Sequence, residues 1–388
     1  MAEKTWTLTD IEQDIYVEQV ALGPNDVGGD AANYLVSKRT LRGGRRDGVD
    51  VVEVSNGTFR FVVVPTRGMG IWQAGLDDLP LGWKSPVAGP VHPSLVPLDE
   101  PSGIGWLSGF DELLVRCGLE SNGAPEFNEN GTLKYPLHGK IANIPAHKVD
   151  MSIDGDTGDI SVRGVVDEAR LFGNKLRMVS TISTKVGRPG MTVTDEITNI
   201  SAEASELELL YHINFGTPLL DPGSKLVVPV VKVAPRDEVA AGNVAEWDTY
   251  GPESPGTPEA CFFYELADDE HGRTVALLHN AAGTQGVGLS FLKSQLPCFT
   301  QWKNRQAEAD GYVTGLEPGI NFPNVKSFEK EKGRVAVLAP GETRTFEVII
   351  QAHHSSVSVD AVKQAIAKLQ EGTTPEVLQQ PDPQWSKV

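Results

Sequence analysis

Three titratable residues stand in local sequences suited to moving a proton: His138, His212 and Glu317. His138 lies in Pro136-Leu137-His138-Gly139, where the glycine lets another backbone or a ligand come close to the imidazole. His212 lies in Tyr211-His212-Ile213-Asn214-Phe215-Gly216, after the run Leu207-Glu208-Leu209-Leu210, and is expected where a buried strand reaches a mouth. Glu317 lies in Thr314-Gly315-Leu316-Glu317-Pro318-Gly319-Ile320-Asn321-Phe322-Pro323-Asn324, which reads as a rigid, exposed corner. A carboxylate of ordinary pKa, about 4.3, is a base at neutral pH, and an imidazole near about 6.5 can be held protonated. Glu317 is therefore the expected base and His212 the expected acid, with the carboxylate raising the imidazole's pKa.

Opening a sugar hemiacetal needs only such a pair. The hydroxyl on C1 loses a proton, the ring oxygen O5 gains one, and the open aldehyde rotates and recloses as the other anomer. His138 would hydrogen-bond the ring oxygen or a neighbouring hydroxyl, and no metal or organic cofactor is required. In the order of a His-Gly pair at 138–139, a His-x-x-Phe segment at 212–215 and Leu-Glu-Pro at 316–318, the chain resembles the aldose 1-epimerase (galactose mutarotase) superfamily, most of all its divergent mutarotase-like branch. The resemblance runs from about the strand before Arg67 to the strand ending near His353. It implies an all-β architecture, a large β-supersandwich with few short helices, and a sugar cleft holding His212, Glu317 and His138 as catalytic residues. It also implies a substrate-binding arginine in the N-terminal part and an aspartate between the second histidine and the glutamate, for which Arg67 and Asp248 are the nearest matches.

Other candidates line up around this core. Arg67, in Pro65-Thr66-Arg67-Gly68-Met69-Gly70, either forks onto substrate oxygens or pairs with an acid at the rim. In Gln301-Trp302-Lys303-Asn304, Trp302 is a platform for an apolar sugar face and Gln301 a hydroxyl partner; Asn321 is another. Trp72, Trp83 and Trp106 are further platforms, with core packing the role of at least half of these four indoles. Asp111, next to Glu112, either contacts substrate or supplies charge at a helix start. His92 and the doublet His353-His354 do not suggest a metal site, because adjacent histidines on a strand point to opposite faces.

The elements that must position these residues read as strands. Residues 175–184 alternate Leu176, Met178 and Ile182 against Lys175, Arg177 and Thr181, and Gly187-Arg188-Pro189-Gly190 turns them into a second run with Met191, Val193 and Ile197 inward. Further strand-like runs cover 59–64, 149–153, 160–166, 226–233, 275–278, 287–292, 335–338 and 346–350. A helix is expected over 358–370 with Ser358 as N-cap and Gly372 past its end, and a shorter turn over 109–115. Between 80 and 145 the pattern dissolves into Gly, Pro, Trp and polar residues, as in a cleft-lining lid. The tail 372–388 lacks apolar periodicity and is expected to pack loosely, with Trp385 against the body.

The 388 residues carry 40% hydrophobic residues and no evident interior linker, which suits one domain spanning 1–388. A net charge of −18 disfavours nucleic acid and anionic lipid, no run approaches the ~20 apolar residues of a membrane span, and the polar start lacks a signal-peptide pattern. Cys117, Cys261 and Cys298 form no disulfide or zinc pattern, which points to the reducing cytoplasm. The expected partner is a small sugar substrate. Two other readings stay open: a non-catalytic carbohydrate-binding protein of the same fold, and an isomerase of a uronate, keto-sugar or sugar phosphate with Arg67, Lys84 and Arg305 as anion partners.

Overall fold

A computed structural model describes residues 3–387. Two large antiparallel sheets dominate it, one of fourteen strands and one of ten. The middle of the larger sheet is made by β1 (Leu114–Leu119), β2 (Ser205–Gly216), β3 (Ala260–Leu266), β4 (Cys298–Asn304) and β5 (Val313–Gly319), in the spatial order β3-β4-β5-β2-β1. Beyond β1 the sheet continues through the strands Gly70–Leu76, Phe59–Val64, Asp50–Ser55, Leu35–Thr40 and Gln19–Leu22.

Successive side chains on a strand point to opposite faces, and in β2 this alternation sorts two environments. Leu207, Leu209, Tyr211, Ile213 and Phe215 enter the main core between the sheets, whereas Leu210 joins a separate cluster on the outer face with Trp106, Phe110, Val115, Cys117 and Ala142. Nearly every β2 residue is buried, so this strand is covered on both faces. The inner face also carries one buried ion pair across the sheets: Arg116 of β1 binds Asp195 through two nitrogens, at 2.5 and 2.9 Å, and Tyr211 donates to the same carboxylate at 2.8 Å.

The long hairpin stands where expected, Lys175–Lys185 against Gly190–Asn199. Four local expectations are corrected. The stretch 80–145 contributes β1, a central strand, and its helical turn is a short 3-10 turn at Gly105–Gly109 in place of 109–115. The run 226–233 is split around Pro229 into Lys225–Val227 and Val230–Pro235, because proline donates no ladder hydrogen bond. The C-terminal helix α1 spans Ser356–Gln370, and Ser355 instead of Ser358 is its cap, its side chain accepting from the Ser358 amide. The tail is stitched down: Glu376–Val377 adds a parallel pairing to Val230–Pro235, Trp385 packs 5.3 Å from Phe322, and Asn324 donates to the Trp385 carbonyl at 2.8 Å.

Candidate active site

In the antiparallel pairing of β2 with β5, Ile213 faces Leu316 and Asn214 faces Gly315, so His212 stands directly opposite Glu317 on the outer face. His212 Nε2 lies 3.3 Å from Glu317 Oε1. A side chain at Gly315 would close this arrangement, since a Cβ there would lie 2.5 Å from Glu317 Oε1 and 2.8 Å from His212 Cε1. Glu317 is therefore inside a strand and 2% exposed, not on an exposed corner, and His212 is mid-strand and 4% exposed.

His138 arrives from the irregular segment. It adopts a left-handed φ of 58°, and Gly139 (φ 72°) follows so tightly packed that a Cβ would meet the Ser121 carbonyl at 2.0 Å. The glycine thus serves close backbone contact. The turn sets the His138 ring 5.5 Å from that of His212 and 4.7 Å from Trp106. Phe110 (5.1 Å) and Trp302 (5.4 Å) complete a ring of aromatics round His212.

The hydrogen bonds fix both tautomers. Asn214 spends its amide hydrogens on the Glu112 and His212 carbonyls, so its oxygen, 2.7 Å from His212 Nδ1, must accept; Nδ1 carries the hydrogen and Nε2 faces Glu317. His138 Nδ1 likewise donates to the Asn122 carbonyl at 2.9 Å. Burial pushes the Glu317 carboxyl well above the usual carboxylate range, reinforced by Glu259 and opposed by Arg236. Burial, with a contribution from His138, holds His212 well below the usual imidazole value, and burial lowers His138 to about 4. The shifts favour the proton on Glu317 and neutral imidazoles, the reverse of the protonated His212 expected from sequence, because desolvation disfavours the charged form of each group.

The trio converges as a contacting, nearly closed cluster. Trp106 and Phe110 are buried beside it, while His138 and Trp302 are partly exposed. Three buried polar atoms here lack a hydrogen-bond partner among the described residues: Glu317 Oε1, Trp106 Nε1 and Thr300 Oγ1, the last directly across the strand pair from Glu317. Buried polar atoms are ordinarily satisfied, so such a group is suited to a hydroxylated ligand.

Of the other sequence candidates, Trp106 joins the trio, and so does Trp302. Its indole donates to Glu259 at 2.7 Å, and Glu259 binds Arg236 at 3.1 Å. Arg67 is buried and consumed by Glu112 (2.5 Å), Asn143 (2.6 Å) and the Gly109 carbonyl (3.0 Å), so it ties down the roof and reaches no cleft. Gln301 points to the opposite face from Trp302 and bonds Tyr264 and Tyr250 in the core. Asn321 binds Glu208 (2.7 Å) and Asn122 (3.2 Å), bracing the loop whose carbonyl holds His138. Asp248 sits beside Thr249, whose carbonyl accepts from Lys303 on that same opposite face. Asp111 faces a neighbouring cleft. Sequence reading missed Asn214, although it lies two residues from His212 and hence on the same strand face, and missed Phe110, Thr300 and Arg236, which carry no local signal. No cluster of three or more potential metal-ligating side chains occurs among the described residues.

Fold and site define a member of the aldose 1-epimerase, galactose mutarotase-like superfamily. Within it, the chain belongs to the family described as a domain of unknown function (DUF4432), whose model matches residues 46–352. Over 97% of this chain and 98% of the other, the structure superimposes with a TM-score of 0.94 and 31% identity on a putative aldose 1-epimerase from Klebsiella pneumoniae. A galactose mutarotase-like protein from Clostridium acetobutylicum (15% identity, TM-score 0.55, 79% of this chain and 96% of that one) and the galactose 1-epimerase of Lactobacillus acidophilus (11%, 0.53, 82% and 98%) share the fold. No curated protein matches the sequence. No helix among the described residues is long and apolar enough to cross a membrane.

Proposed function

We propose that the protein is an aldose 1-epimerase that interconverts sugar anomers through His212 and Glu317. The observation that carries this reading is the cross-strand contact of 3.3 Å between them, with Glu317 Oε1 buried and unsatisfied. O1 and O5 are bonded to the same carbon, so a base for one and an acid for the other must be neighbours, as these are. The ring then lies over the pair instead of between its members.

The pair holds one proton. Moving it from the Glu317 carboxyl to His212 Nε2 leaves the net charge unchanged and yields a carboxylate that accepts the O1 proton and an imidazolium that gives one to O5. Asn214 keeps Nδ1 protonated throughout, so Nε2 is the nitrogen that exchanges. His138 orients the sugar and Trp302 offers a ring face. The 31% identity to the Klebsiella pneumoniae protein supports the same class.

A Glu317→Gln variant keeps the shape and loses the exchangeable proton. Anomer exchange, followed by magnetisation transfer over a panel of aldoses, is expected to drop ~100-fold or more at unchanged melting temperature. A second reading, a non-catalytic carbohydrate-binding protein, draws on the same 2% exposure of Glu317, which also suits a structural contact. In that case no aldose shows enzyme-dependent exchange, and Glu317→Gln changes stability alone.

A further inference from the structure

A second cleft, of about 600 Å³, opens on the outer face of the larger sheet beside the trio. Trp83 and Phe110, 4.9 Å apart, form the wall between them, and Phe110 reaches His212. Trp72 and Asp111 line the cleft. Asp111 is 7% exposed and its Oδ1 has no hydrogen-bond partner among the described residues. Burial, and then the neighbouring Glu112, raise its pKa to about 8, so at neutral pH it is a hydrogen-bonding acid without charge.

The rim carries Arg39, Arg60 and Lys84 beside two carboxylates, Glu308 and Glu53, the latter on the strand between the two arginines. Arg39 and Arg60 are both exposed and neither is in an ion pair or side-chain hydrogen bond among the described residues, and Lys84 stands opposite, 3.5 Å from Glu308. The two arginines are not a single clamp. Arg39 pairs with Val51 and Arg60 with Ser55 of the intervening strand, so they are two strand spacings and four residues apart. That separates their backbones by roughly 16 Å. Arg60 leans away from Arg39, its Nε lying close over Gly75.

Two separated, unpaired guanidinium groups flanking an indole and a buried neutral acid match a ligand with stacked rings and more than one negative group. We propose that this cleft binds a short acidic oligosaccharide of uronate type, one ring lying on Trp72 and separate carboxylates reaching Arg39 and Arg60. None of these residues belongs to the proposed exchange machinery, so the site stands independently of it.

Isothermal titration with α-1,4-linked trigalacturonate, maltotriose and monomeric galacturonate tests this. Trigalacturonate should bind at least ~10-fold more tightly than either of the others, and added salt should erode the advantage. Arg39→Gln and Arg60→Gln should each remove part of that advantage, and the double variant all of it, with unchanged melting temperature because both side chains are exposed. Trigalacturonate binding should persist in Glu317→Gln, which separates failure here from failure of the epimerase reading. Equal affinities for trigalacturonate and maltotriose, an advantage surviving in the double variant, or loss of binding in Glu317→Gln would each overturn the proposal.

Discussion

Glu317 and His212 are 2% and 4% exposed, and desolvation acts against the charged form of both at once. The raised carboxyl and lowered imidazole both favour a pair that holds one proton on Glu317. Acid adds a second proton only below the usual imidazole value, and alkali removes the last one only above the usual carboxylate range. No loss of enzyme-dependent exchange centred near the ordinary imidazole value is therefore expected, as measured by magnetisation transfer at several pH values. A sigmoidal loss centred near about 6.5 would instead place an ordinary imidazolium in the mechanism.

Elements bring partners that sequence separation hides. The roof over the pair hangs on Arg67, whose guanidinium holds Glu112 and the Gly109 carbonyl, while the Glu112 carbonyl holds Asn214 and Trp83. Arg67→Met would strand the Glu112 carboxylate in a buried position, at a cost of about 3–5 kcal/mol, visible as a large fall in melting temperature. A substrate-binding arginine would behave differently, raising KM while leaving the melting temperature nearly unchanged. The strand alternation of the hairpin after Lys175 was readable because one face is apolar and the other polar. β1 was not readable, because all of its residues on both faces, Leu114–Leu119, are buried, which erases the alternation.

Across the whole molecule, the Arg116–Asp195 pair joins the two sheets on the side opposite the trio. Asp195→Asn would leave Arg116 buried with a neutral partner and weaken the Tyr211 acceptor. It is expected to lower the unfolding free energy by about 3–5 kcal/mol in urea titrations, with anomer exchange within about 3-fold of wild type at temperatures where the variant remains folded. A larger loss of exchange would mean that the sheet-to-sheet contact sets the site's geometry.

By itself the sequence determined the β architecture and the C-terminal helix, and it singled out His138, His212 and Glu317 as candidates, because side-chain periodicity and short motifs are local properties. Only the tertiary structure decided which groups meet and how they are charged. Arg67, Gln301, Asn321 and Asp248 had suitable chemistry, but strand facing and buried partners turn each of them away from the site. Thr300, Trp106 and Phe110 reach it from strands and turns distant in sequence. The position of the proton was likewise out of reach of the sequence: a reference pKa assumes water, and it is the burial of Glu317 beside His212, created by β2 and β5 pairing under an aromatic roof, that reverses it.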